Sequence, residues 1–145
     1  MKILVINGPN LNLLGKREPG IYGAQTLDDI NQMISESFDK SVEFEFFQSN
    51  HEGVIIDKIH EMMDDYDGCV INPGAYTHYS YAIYDAIRAV KKPFVEVHIS
   101  DVDSREPFRA ISVTAPACME KIAGLGTKGY VQAVKILQNY INLEK

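Results

Sequence analysis

The chain has no tryptophan, only two cysteines, fewer cations than anions, and no apolar run long enough to cross a bilayer. The two cysteines, Cys69 and Cys118, lie far apart among apolar neighbours. That excludes a disulfide scaffold and reads as free, buried thiols in a reducing compartment. Lys and Arg total 14 against 20 Asp and Glu, a net charge of −6. A chain of that sign has no general attraction for nucleic acid or an anionic membrane, so an anionic ligand must be held by a local cluster of Arg or Lys. The apolar start, 1–6, ends at Asn7, too short for the core of a signal peptide, and a cytoplasmic protein is expected. What is present is ordinary for a globular chain: 46% hydrophobic and 23% charged residues over 145, which fits one domain spanning 1–145.

Short apolar runs at 3–6, 69–71 and 94–97, and an alternating one at 42–47, are rich in β-branched and aromatic residues and predict strands, several covered on both faces. Between them the apolar residues fall at helical spacing: Leu27, Ile30, Ile34 and Phe38; then Ile55, Ile59, Met62 and Met63; then 79–90 and 130–143. Thr26 and Asp29 have the form of a capping box. A short strand at 121–123 precedes the last helix. Alternation of this kind calls for parallel strands joined by right-handed crossovers, and about five strands suit a flavodoxin-like α/β sandwich of order 2-1-3-4-5. In such sheets ligands bind beyond the carboxyl ends of the strands, so the loops after strands one, three and four are the ones to read.

After strand one the chain runs from Asn7 to Gly23 with Asn10, Asn12, Arg17 and Tyr22 among glycines and prolines. This loop is longer than an ordinary strand-to-helix connection and is a candidate lid. Asn and Gly also serve turns, and the residues alone leave that reading open. After strand three comes Asn72-Pro73-Gly74-Ala75-Tyr76-Thr77-His78, with a helix start expected to offer backbone donors to an anion. Strand four ends Glu96-Val97-His98-Ile99-Ser100, with Arg105 and Arg109 beyond it. A single His at a strand end serves either as a structural hydrogen-bonder or as a catalyst, and three loops converge on this one.

Two motifs are set aside. Gly124-Leu125-Gly126-Thr127-Lys128-Gly129 matches the dinucleotide fingerprint, but no strand follows its helix to carry the ribose-binding acid. Tight turning and close helix packing explain these glycines better. The histidines at 51, 60, 78 and 98 and the two cysteines lack metal-ligand spacing, so no metal is expected.

Taken in order, Asn7 to Asn12, Gly15 to Pro19, Tyr22-Gly23, Gln48 to Gly53, Asn72-Pro73-Gly74 with His78, Glu96 to Ser100 and Arg105 to Arg109 resemble the type II 3-dehydroquinate dehydratases, from the first strand to Gly129-Tyr130. The resemblance implies a lyase converting 3-dehydroquinate to 3-dehydroshikimate and water by trans elimination through an enolate. Such a step serves aromatic amino acid biosynthesis in the shikimate pathway or the breakdown of quinate. It further implies a homododecamer built as a tetramer of trimers, with no cofactor and no Schiff-base lysine. By resemblance Tyr22 is the proton acceptor, Arg17 the transition-state stabiliser beside it, Asn10 the holder of the enolate water, His98 the proton donor and Glu96 the residue that orients His98. Asn72, Ile99 and Ser100 match the carboxylate binders. His78, Arg109 and, from a neighbouring subunit, Asp85 match the ring-hydroxyl contacts.

The chain departs from the family pattern after His78, where Tyr79, Tyr81 and Tyr84 stand in place of Thr and smaller residues. Their spacing prevents a shared helix face, which points to subunit contacts near Asp85 or to core filling. A flavin- or nucleotide-binding module of the same fold would need a Ser/Thr/Gly phosphate loop where this chain has Asn-Gly-Pro-Asn-Leu-Asn. A phosphoacceptor signalling domain would need acids at the positions of Asn10 and Asn72.

Overall fold

The computed structural model describes residues 1–16 and 24–145. Five parallel strands form one sheet of order β2-β1-β3-β4-β5: β1 (Lys2–Asn7), β2 (Glu43–Gln48), β3 (Gly68–Asn72), β4 (Phe94–His98) and β5 (Glu120–Ala123). This is the expected flavodoxin-like order. The register sets Gln48, Asn7 and Asn72 side by side at the carboxyl end of β2, β1 and β3. Strand residues alternate between faces. Ile3, Val5, Val70, Val95 and Val97 therefore pack in one core with α1 (Leu27–Glu36) and α5 (Lys128–Leu143). Leu4, Ile6, Cys69, Ile71 and Phe94 pack on the other face with α2 (Glu52–His60), α3 (Met62–Asp65) and α4 (Tyr81–Val90).

Local signals fix the ends of the helices. Thr26 Oγ1 accepts from the Asp29 amide at 3.1 Å while Asp29 Oδ2 accepts from the Thr26 amide at 3.0 Å, closing the capping box before α1. The apolar run through Met63 is not one helix, because the chain breaks at Glu61 between α2 and α3. The helix expected from residue 79 begins instead at Tyr81, where Ser80 Oγ caps the Ile83 amide at 3.0 Å. Gly124 and Gly126 take left-handed φ values of 81° and 62°, and a Cβ on Gly129 would come within 3.3 Å of Val97 Cγ1. Turning and close helix–sheet approach thus account for that glycine cluster. Cys69 and Cys118 are both free. Among the described residues no helix is long and apolar enough to cross a membrane, and no group of His, Cys, Asp or Glu is placed to hold a metal.

Candidate active site

The carboxyl end of the sheet opens into a cleft of about 110 Å³. Its walls come from the three loops singled out by sequence. Asn10 stands on the first, Asn72 and His78 on the second, His98, Ile99 and Ser100 at the end of β4, and Arg105 and Arg109 just beyond. Glu96 is fully buried behind His98. Asp85 is exposed on α4 and does not line the cleft of its own chain. Arg17, Tyr22 and with them the body of the candidate lid lie outside the described residues.

The first two loops meet where only glycine fits. Gly8 donates to the Asn72 carbonyl at 2.8 Å, and a Cβ on Gly8 would stand 2.5 Å from the Pro73 carbonyl oxygen. Asn10, at a left-handed φ of 69°, is held by its amide donating to Asn50 Oδ1 at 3.0 Å. Gln48 Nε2 lies within 3.1–3.3 Å of Asn50 Oδ1, the Gly8 carbonyl and Asn12 Oδ1, so one side chain from β2 ties the start of this loop together. The expected helix start after Asn72 is a correction. A 3-10 turn, Gly74–His78, comes first, and the Gly74 amide is already used by Asn72 Oδ1 at 3.1 Å. A five-residue turn shapes the wall with side chains rather than presenting a helix terminus to an anion.

Glu96 and His98 are two residues apart on one strand, so both side chains leave the same face. His98 Nε2 donates to Glu96 Oε2 at 2.8 Å, leaving Nδ1 for a ligand. Thr77 Oγ1 and Ser112 Oγ each lie 2.9 Å from the same oxygen, and Thr114 Oγ1 donates to Oε1. Burial pushes the Glu96 carboxyl up, but the bond and charge of His98 and the Thr114 and Ser112 hydroxyls outweigh it, and the net shift is below the ordinary glutamate value. Glu96 is therefore a carboxylate at neutral pH, fixing His98 with a proton on Nε2.

His78 Nδ1 sits 2.8 Å from the Ile111 carbonyl, which only accepts, so Nδ1 carries the proton and Nε2 offers a lone pair. Partial burial, assisted by the charge of Arg109, holds this ring below its ordinary value despite the Ile111 bond. Arg109 is paired with Glu106, and its guanidinium lies 4.8 Å from the Phe108 ring centre. Tyr79 and Tyr81 are 60% and 68% exposed, which rules out core filling for both in the single chain. Tyr84 is half-buried and accepts from Arg88 at 3.1 Å.

Sequence reasoning missed the three hydroxyls around Glu96 and gave no role to Gln48 and Asn50. The one available signal was Ser112 and Thr114 at alternate positions, as on an extended segment, and hydroxyl residues are too common for that to stand out.

The chain matches the family described as dehydroquinase class II over residues 1–138. It is 56% identical over 139 residues to the 3-dehydroquinate dehydratase of Thermotoga neapolitana, covering 95% of this chain and 94% of that protein. The crystal structure of type II dehydroquinase from Butyrivibrio crossotus superposes with a TM-score of 0.93 at 57% identity, covering 95% of this chain and 97% of the other. That of the Propionibacterium acnes type II dehydroquinase gives 0.91 at 43% identity, covering 95% and 96%.

Proposed function

This chain belongs to the class II dehydroquinase family, and we infer that it is a 3-dehydroquinate dehydratase of the shikimate pathway, eliminating water without a Schiff base. The observation that carries the chemical reading is the succession His98, Ile99, Ser100 along one edge of the cleft, with the far side of the imidazole tied to Glu96. In 3-dehydroquinate the departing hydroxyl and the carboxylate share one carbon. An acid and a carboxylate-binding edge must then be neighbours, as His98 is to Ile99 and Ser100.

In the proposed route Tyr22 removes the proton beside the ketone. A phenol with a pKa of about 10 is a poor base at neutral pH, and the Arg17 guanidinium on the same loop favours its phenolate. The electron pair moves onto the ketone oxygen, and a water held by Asn10 stabilises that enolate by about 3 kcal/mol or more. Collapse of the enolate expels the hydroxyl, which takes the Nδ1 proton of His98 in its imidazolium form and leaves as water, while Nε2 keeps its own proton toward Glu96. Glu96 keeps its charge throughout and holds the ring in place. Asn72 joins Ile99 and Ser100 at the carboxylate, while His78 Nε2 and Arg109 meet the ring hydroxyls. Asp85 completes the site from a neighbouring subunit of a homododecamer built from trimers, where the exposed Tyr79 and Tyr81 supply apolar contact area beside it.

The test is the ultraviolet absorbance of the conjugated enone formed when purified protein meets 3-dehydroquinate, with and without borohydride pretreatment. Absorbance growth that survives borohydride is expected. Growth abolished by borohydride, or none from folded protein, overturns the reading.

A further inference from the structure

A buried phenol lies directly behind the cleft and takes no part in the route above. Tyr130, in the first turn of α5, is completely inaccessible, and the other buried positions of that helix are Gly129, Ala133, Val134, Leu137 and Ile141. Its hydroxyl is thus the polar exception on an apolar face. The close approach of Gly129 to Val97 and Ile122 lets the helix sit low enough for that hydroxyl to reach the strand ends. There it lies 2.6 Å from Asn7 Oδ1 and 3.0 Å from Asn72 Nδ2.

We propose that Tyr130 is a positioning residue for Asn72, fixing which face of that amide meets the substrate. The proposal rests on the reading of Asn72 as a carboxylate binder. A tyrosine hydroxyl has one proton, and Asn7 Oδ1, which only accepts, takes it. Toward Asn72 the hydroxyl can then only accept, so the group facing it must be Nδ2. At the other end Asn72 Oδ1 accepts from the Gly74 amide. Turning the amide over would set oxygen against oxygen at Tyr130 and N–H against N–H at Gly74. With Oδ1 facing the Gly74 amide and one Nδ2 hydrogen given to Tyr130, Asn72 keeps its second Nδ2 hydrogen for a ligand, a donor as a carboxylate requires. Burial pushes the Tyr130 hydroxyl far above its ordinary value, against the smaller effect of Asn72, so the direction of the chain does not change across the working pH range.

A merely structural role for this network would alter stability alone, and the test separates the two. Steady-state kcat and KM for 3-dehydroquinate, together with Tm, are measured for the full chain and for Tyr130→Phe, Asn72→Ala and the double variant. Loss of the constraint is expected to raise KM about tenfold in Tyr130→Phe with kcat within about threefold. In the Asn72→Ala background the same substitution should add less than about twofold, since it acts through the missing amide. A lower Tm with unchanged KM in Tyr130→Phe overturns the proposal, as does an equal KM increase in both backgrounds. Asn72→Ala with unchanged KM removes the carboxylate reading itself, and the proposal with it. Should Tyr130→Phe fail to fold, Asn7→Val removes the acceptor that orients the chain; a raised KM in that variant supports the proposal and an unchanged one overturns it.

Discussion

His98 Nε2 donates to Glu96 Oε2 at 2.8 Å from two positions further along the same strand, and Glu96 is completely buried. A buried charge persists only when its partners replace water, and here one imidazole and three hydroxyls do so. The pair immobilises Nε2 and leaves Nδ1 for a ligand, as the proposed role of His98 as proton donor requires. Glu96→Gln keeps the shape but puts an amide where a carboxylate accepted several donors. Its kcat should fall on the order of 10–100-fold with KM changed only a few-fold. Steady-state kinetics on folded, oligomeric protein checks this, and a loss confined to KM speaks against the assignment.

The same carboxyl gives a stability signature with a definite sign. Its folded value lies below its ordinary 4.5. The stability it contributes is complete above pH 4.5 and is lost as pH falls through the depressed folded value. The Tm difference between the natural chain and Glu96→Gln should therefore be full at neutral pH and shrink on acidification below about pH 4.5. A difference that grows on acidification contradicts the ionic state given to Glu96.

Gly8 holds the first two loops together by the absence of a side chain. In Gly8→Ala the new Cβ meets Pro73 backbone atoms at 2.5 and 2.7 Å, which no rotamer relieves. Thermal unfolding should show a loss of about 1–3 kcal/mol, and activity should drop with it because the loops bearing Asn10 and Asn72 part. Gly53→Ala is the control: nothing lies within 4 Å of its Cβ. On the α2 helix that change should be neutral or stabilising by up to about 1 kcal/mol.

The architecture was legible because strand and helix periods alternate cleanly, whereas the pairing of Glu96 with His98 came from the family resemblance, and their spacing of two on one strand is what lets the two side chains meet. Seven of the proposed site residues come together in the cleft for the same reason, since strand ends and short loops leave them little freedom. Boundaries governed by single caps were less legible: the break at Glu61 and the delayed start at Tyr81 depend on local hydrogen bonds that apolar periodicity does not carry. The role of Gln48 was hidden because its partners, Gly8 and Asn12, become neighbours only through the parallel pairing of β2 with β1.

Tyr22→Phe, which removes the proposed base, should lower kcat by about 100-fold or more while sparing KM. It also serves to test sharing between subunits. When Tyr22→Phe and Asp85→Ala proteins are dissociated, mixed equally and reassembled, about a quarter of the sites should combine an intact Tyr22 with a neighbour's intact Asp85. Recovered activity is the expected result. Demonstrated subunit exchange without recovery rules out a contribution of Asp85 across the interface.

The most direct measurement is a crystal structure of the protein with the product, 3-dehydroshikimate, in the cleft. The account predicts the product carboxylate within hydrogen-bonding distance of Asn72 Nδ2 and of Ile99 and Ser100, with His98 Nδ1 facing the carbon that carried the hydroxyl. A carboxylate held instead by Arg109 at the mouth of the cleft, with His98 turned away from that carbon, contradicts it.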